Sequence, residues 1–339
     1  MLQNVTSVVF TAKNRVACST SPADLGLNGK TALVESRYTC ISAGTEIAKL
    51  TGLEPFPFPC TLGNRAVGRV LAHSNGRSDL KDGELVLTYT PHCSHAVTDS
   101  LVAPLPESLD CPEAALLGMA MVALAGVQTA APALGDVAVV TGAGLVGQFA
   151  AQLLQLSGAR VILIDPIEGR LRTARACGIS QAWQGELDGL KGRVLDFTHG
   201  RGTDLILECT GVPRVAMAAA GLARQSGTMI LVGSPRGQSD ADITPFLQAI
   251  HLWRPHCDLT LKGAHEWKIP LHPSGYNKHS QFENVKLLAA LMQAGSLRVK
   301  PLLSATYKPA DAASAYENLQ SRKNEVLGSV FDWTAAESA

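Results

Sequence analysis

From Val137 onward the chain alternates short, continuously apolar runs with amphipathic ones. DVAVVTGAG predicts a buried strand and its turn, and LVGQFAAQLLQLSG predicts a helix closed by Gly158. ARVILID is then a second strand, GRLRTARACG a second helix, and TDLILECTG and GTMILVGSP two further strands ending in Gly or Pro turns. Apolar strands alternating with helices predict an α/β, doubly wound parallel sheet covered on both faces. Upstream, to about residue 110, the pattern is different. VTSVVF, TALVESRY, AVGRVLAH, ELVLTY and SLVAPL are short, β-like and cut by Pro, Gly and Asn, which predicts an antiparallel, partly barrel-like region. EAALLGMAMVALAGVQTA is a helix too short in its purely apolar length to span a bilayer, so a buried core helix is expected and no membrane association. After Leu261, SQFENVKLLAALMQAGSL and PADAASAYENLQS are helices and VLGSVFDW a last strand. These changes of character divide the 339 residues at 1–127, 128–262 and 263–339.

Composition narrows the class. Lys plus Arg equals Asp plus Glu at 29 each, so the basic footprint of a nucleic-acid binder is missing. Eight scattered cysteines without a C-x-x-C pair suggest free thiols in a reducing cytoplasm, and the N-terminal residues lack the basic and apolar regions of a signal peptide.

The strongest chemical signal is Gly142-Ala143-Gly144-Leu145-Val146-Gly147, a G-x-G-x-x-G that follows a strand and opens a helix. Gly142 permits the tight turn, Gly144 lets the backbone approach a pyrophosphate, and Gly147 lets helix pack on strand. The phosphates would lie on the free N–H groups of Leu145, Val146 and Gly147 at the helix N-terminus. Asp165 ends the next strand, where a carboxylate accepts from the adenosine ribose and repels a 2′-phosphate, so NAD is expected ahead of NADP. Arg170, five residues on, either lines the ribose pocket or is a solvated helix residue. Thr210-Gly211 and Gly233-Ser234 end later strands at the same edge and are candidates for the nicotinamide side.

ISAGTE at 41–46, GNRAVGRV at 63–70, the glycine turn at 142–147 and the closing pattern from Lys308 to Val330 resemble the medium-chain dehydrogenase/reductase superfamily, zinc-type alcohol dehydrogenase-like. The form of ISAGTE is similar to the zinc-poor branch containing bacteriochlorophyllide dehydrogenase. The resemblance implies a GroES-like, mainly antiparallel catalytic domain beside a Rossmann domain, and a homodimer joined through the edge strand near GTMILVGSP. It also implies three metal ligands at the positions of Ala43, Asn64 and Gly118. None of these offers the sulfur, nitrogen or oxygen donor that zinc requires, and the four-cysteine structural lobe is missing too, so no zinc and no metal residues are expected. His92-Cys93-Ser94-His95 packs donors closely, but in a β-like loop 92 and 95 point to opposite faces.

Without a metal, hydrogen-bond donors or a cation must stabilise the reacting oxygen. Thr45 falls on the proton-relaying hydroxyl of zinc-dependent members, with Ala48 where the next relay histidine would stand. Glu46 and Arg65 are expected to pair and fill the vacated metal position. Tyr89 and His92 lie in a loop expected to face the cleft, as acid, base or substrate contact, and the polar, aromatic segment 265–279 is expected to line the substrate pocket. The implied activity is zinc-independent, NAD(P)-dependent interconversion of a secondary alcohol and a ketone. Reduction of an activated C=C bond, or nucleotide sensing without catalysis, are the alternatives.

Overall fold

The strands Val137–Thr141, Arg160–Asp165 and Thr203–Glu208 are apolar along almost their whole length because helices cover both faces of the sheet they form. The computed structural model describes residues 2–334. In it these strands lie at the centre of a six-stranded parallel sheet, ordered Gln181–Gln184, Arg160–Asp165, Val137–Thr141, Thr203–Glu208, Ala223–Leu231, Thr260–Gly263. From Val137–Thr141 the chain first builds outward on one side and then returns to build on the other. The order therefore reverses beside Val137–Thr141, and the turn that leaves this strand is the glycine motif. In open α/β sheets ligands bind at that switch point, outside the carboxyl ends of the strands. Val139, Ile162, Ile164, Ile206 and Met229 form the core against the helices, each such side chain contributing about 1.5–3 kcal/mol on full burial. The stretch without a clear pattern after Gly178 holds the four-residue strand Gln181–Gln184 and the helix Leu187–Phe197.

The other layer system is a mainly antiparallel sheet, ordered Leu303–Tyr307, Gly328–Asp332, Ala32–Cys40, Ala66–His73, Leu85–Thr88, Val102–Pro104, with His95–Thr98 also paired to Ala32–Cys40. A three-stranded sheet of Arg15–Asp24, Leu2–Ala12 and Cys60–Thr61 accompanies it. The register of Ala32–Cys40 on Ala66–His73 depends on Gly68, since a Cβ there would stand 2.4 Å from the Glu35 carbonyl oxygen. Where the chain leaves Ala32–Cys40 it forms the helix Ala43–Leu50, which carries the ISAGTE motif.

The contacts divide the chain into two units. One takes the residues up to Met119, Pro270–Gly295 and those from Leu303 on; the other takes Ala120–Ile269 and Ser296–Leu302. The divisions differ from those at 127 and 262. The first falls inside the helical run Pro112–Ala130, which is long and apolar enough to cross a membrane but is mostly buried within the protein, as a core helix is. Residues 263–269 stay with the parallel sheet because the Ala264 N–H donates to the Leu231 carbonyl. A second difference concerns the sheet edge. The strand containing GTMIL is interior, and the outermost strand is Thr260–Gly263, all four residues of which are exposed.

Candidate functional site

In the parallel-sheet unit the glycine turn has the geometry its spacing requires. Gly142 sits at φ +88°, a left-handed conformation that favours glycine, and its N–H donates to the Ile164 carbonyl at 2.8 Å. A Cβ on Gly147 would come within 1.8 Å of the Gly142 carbonyl oxygen, so only glycine lets the helix Leu145–Leu156 start this close to the turn. At Gly144 a Cβ would meet nothing within 4 Å, leaving space directly over the first turn of that helix. Gly144 is also the N-cap and offers no capping side chain, so the helix-start amides are available to an anion.

Asp165 braces this turn. Its Oδ2 accepts from the Ala143 N–H at 2.7 Å and its Oδ1 from the Ile167 N–H at 2.8 Å, and Nη1 of Arg170 reaches Oδ2 at 3.4 Å. A carboxylate has about four lone-pair sites, so one stays open for a ribose hydroxyl.

Thr210-Gly211 and Gly233-Ser234 lie together. A Cβ on Gly211 would be 2.2 Å from the Ser234 carbonyl oxygen and one on Gly233 2.3 Å from the Gly211 nitrogen, so the two turns touch backbone to backbone. Glu208, missed in the sequence, holds this pair. It is buried and accepts from the Thr210 N–H at 2.7 Å, the Gly211 N–H at 3.1 Å and the hydroxyls of Thr210 and Thr141. Burial pushes its carboxyl up, and the four donors pull against that shift without cancelling it. A lone acid ending an apolar strand was the signal available.

The second cluster is in the antiparallel unit, and here the structure corrects two expectations. His92, expected to face the cleft as acid, base or substrate contact, is fully buried. Among the described residues the groups on the Glu46 carboxylate are His92 Nε2 at 3.1 Å, the Tyr316 hydroxyl and the Ser42 N–H at 2.7 Å; Arg65 is not one of them. The expected Glu46–Arg65 pair is thus a Glu46–His92 pair. The imidazole reaches Glu46 because Gly63, at φ +97°, leaves room for it: a Cβ there would lie 2.7 Å from the His92 ring. On its far side His92 Nδ1 lies 2.8 Å from the Thr39 hydroxyl, which accepts from Trp333 Nε1 at 3.0 Å. Burial works to raise the Glu46 carboxyl, but the imidazole, Tyr316 and the Ser42 amide outweigh it and hold the group below the usual carboxylate range. The carboxylate is therefore the acceptor and Nε2 the donor, while burial and that negative charge push the Tyr316 hydroxyl far up.

Arg65 takes a different place. It is buried, with its guanidinium carbon 4.6 Å from the Tyr89 ring centroid and Nη1 donating to the Asn64 carbonyl at 2.8 Å. A Cβ on Gly118 would be 2.3 Å from Arg65 Cδ, so the arginine stem lies directly on that glycine. Thr45 is half-buried in the first turn of Ala43–Leu50. Over the segment 265–279 most residues are exposed, Tyr276 completely, so Tyr276 does not line a pocket.

The donor set does not fit a catalytic zinc. Ala43, Asn64 and Gly118 bring no thiolate, imidazole or carboxylate, and among the described residues no group of three or more His, Cys, Asp or Glu could hold a metal. In 92–95, His92 is committed to Glu46 and Thr39, the Cys93 thiol donates to the His95 carbonyl and is pushed by burial up to about 12, and His95 faces Glu35.

Residues 146–256 match the family described as zinc-binding dehydrogenase. The chain is 27% identical over 240 residues to a D-xylulose reductase of Morganella morganii, covering 67% of this chain and 63% of that one. It is 27% identical over 203 residues to an L-threonine 3-dehydrogenase of Paraburkholderia xenovorans, covering 60% and 52%. It thus spans between half and two thirds of the length of these curated relatives. A solved alcohol dehydrogenase zinc-binding domain protein from Burkholderia ambifaria superposes with a TM-score of 0.82 at 19% identity, over 98% of this chain and 99% of that one. Galactitol-1-phosphate dehydrogenase from Escherichia coli superposes with a TM-score of 0.81 at 18% identity, over 96% and 99%. These structures share the fold, and the matches support the medium-chain, zinc-type alcohol dehydrogenase-like superfamily.

Proposed function

We propose that this protein is a zinc-independent, NAD(P)-dependent oxidoreductase that interconverts a secondary alcohol and a ketone by hydride transfer, with NAD preferred. The observation that carries the reading is the turn 142–147 braced by Asp165: open space over Gly144, uncapped amides at the helix start, and a carboxylate with an acceptor site to spare. The curated relatives, named as dehydrogenases and reductases, support the reaction class.

When bound, the nicotinamide ring supplies or accepts the hydride. The amides of Leu145, Val146 and Gly147 take the pyrophosphate, and Asp165 takes the ribose hydroxyl with Arg170 beside it. Thr210-Gly211 and Gly233-Ser234, fixed by Glu208, shape the nicotinamide end. In the antiparallel unit the Thr45 hydroxyl carries the proton of the substrate oxygen, and Ala48 ends the relay there. Tyr89 holds Arg65 in place, and the Glu46–His92–Tyr316 cluster positions the helix that bears Thr45.

The experiment is turnover of NADH and NAD, followed by nicotinamide absorbance across secondary alcohols, ketones and enones. Turnover of alcohols and ketones supports the reading. Turnover of enones alone makes the protein a C=C reductase, and binding without turnover makes it a sensor.

The protein acts as a homodimer in this reading, in the cytoplasm, where its eight free thiols stay reduced. The exposed edge Thr260–Gly263 leaves backbone groups to pair, and Ile243, Leu247 and Trp253 of the same unit are 54%, 53% and 78% exposed. Sedimentation should give twice the chain mass at micromolar concentration, and Leu261→Asp should shift it to monomer. A monomeric parent chain would contradict this.

A further inference from the structure

The zinc-binding family match and the unsuitable donor set disagree, and the side chains show where the difference is made. Ala43, Asn64 and Gly118 stand where the resemblance expects ligands. The space above Gly118 is filled: a Cβ there would lie 2.3 Å from Cδ, 2.8 Å from Cβ and 2.9 Å from Cγ of Arg65. These are stem atoms near the backbone, so the clash is not relieved by swinging the end of the side chain. A cysteine or glutamate at 118 and the present Arg65 are mutually exclusive. The guanidinium beyond this stem is held over the Tyr89 ring and by the Asn64 carbonyl, and Glu46 is engaged by His92 and Tyr316.

We propose that Arg65, seated on Gly118, keeps a metal out of this position: its stem occupies the space that a ligating side chain at 118 would need. This rests on the oxidoreductase reading above.

The first test is zinc content, by mass spectrometry of full-length protein purified with added zinc. The variant Ala43→Cys/Asn64→His/Gly118→Cys restores the donors but keeps Arg65, and should hold under about 0.1 zinc per chain. Adding Arg65→Glu should raise it to about one, the stoichiometry of a closed ligand set. Zinc in both variants, or in neither, overturns the proposal. The second test is a double-mutant cycle. Gly118→Ala should lower Tm by about 5 °C in the parent chain and by less than about 1 °C in an Arg65→Ala background; equal shifts in both backgrounds overturn it. Failure of the parent chain to bind NADH would instead defeat the oxidoreductase reading, so the two failures are distinguishable.

Discussion

His92→Leu should destabilise the protein by about 3–5 kcal/mol, because it leaves the ionised Glu46 carboxylate buried without its main partner. In a thermal melt that corresponds to a loss of about 10 °C. Tyr316→Phe removes one hydrogen bond to the same carboxylate and should cost about 1.5–3 kcal/mol. Replacing the whole set with apolar residues, as Glu46→Leu/His92→Leu/Tyr316→Phe, should recover most of the loss, since no charge is then stranded. The sign with pH follows from Glu46. Its carboxyl is lowered in the folded protein, so its stabilisation is complete above the unfolded value of about 4.3 and is lost as pH falls through the folded value. The His92→Leu variant should therefore lose less stability than the parent chain on acidification below about pH 4. A His92→Leu variant within about 1 kcal/mol of the parent would show that the cluster carries no buried charge.

Asp165→Ser should raise the Kd for NADH by at least about tenfold and bring NADPH affinity to within about threefold of it. Two effects act together. The ribose loses a charged acceptor, and the Ala143 and Ile167 amides lose the oxygens that brace the glycine turn. Relief of repulsion toward a 2′-phosphate favours NADPH at the same time. Fluorescence titration of both nucleotides reads both numbers. Tighter binding of NADPH than NADH by the unmodified protein would mean that the carboxylate does not face the ribose.

The parallel sheet was legible because burial on both faces writes its strands as unbroken apolar runs, as in Val137–Thr141. Arg15–Asp24 was not, because seven of its ten residues are exposed and none is buried, so no apolar alternation marks it; it exists by pairing with Leu2–Ala12. The glycine turn could be read because each glycine answers a local steric demand. The Glu46 partner could not. Its contact with Tyr316 spans 270 residues of sequence, and His92 shows no periodicity that separates a core histidine from a loop one. Arg65 was expected beside Glu46 at the vacated metal position, and its seat on Gly118 depends on the absence of a side chain, which spacing alone does not reveal.

The central claim is that the chain binds its nicotinamide cofactor and works without zinc. It is tested most directly by counting metal and titrating NADH on one preparation, before and after dialysis against a chelator. The account predicts less than about 0.1 zinc per chain and the same NADH affinity and turnover in both samples. About one zinc per chain, with turnover lost on its removal and regained on its return, would contradict it.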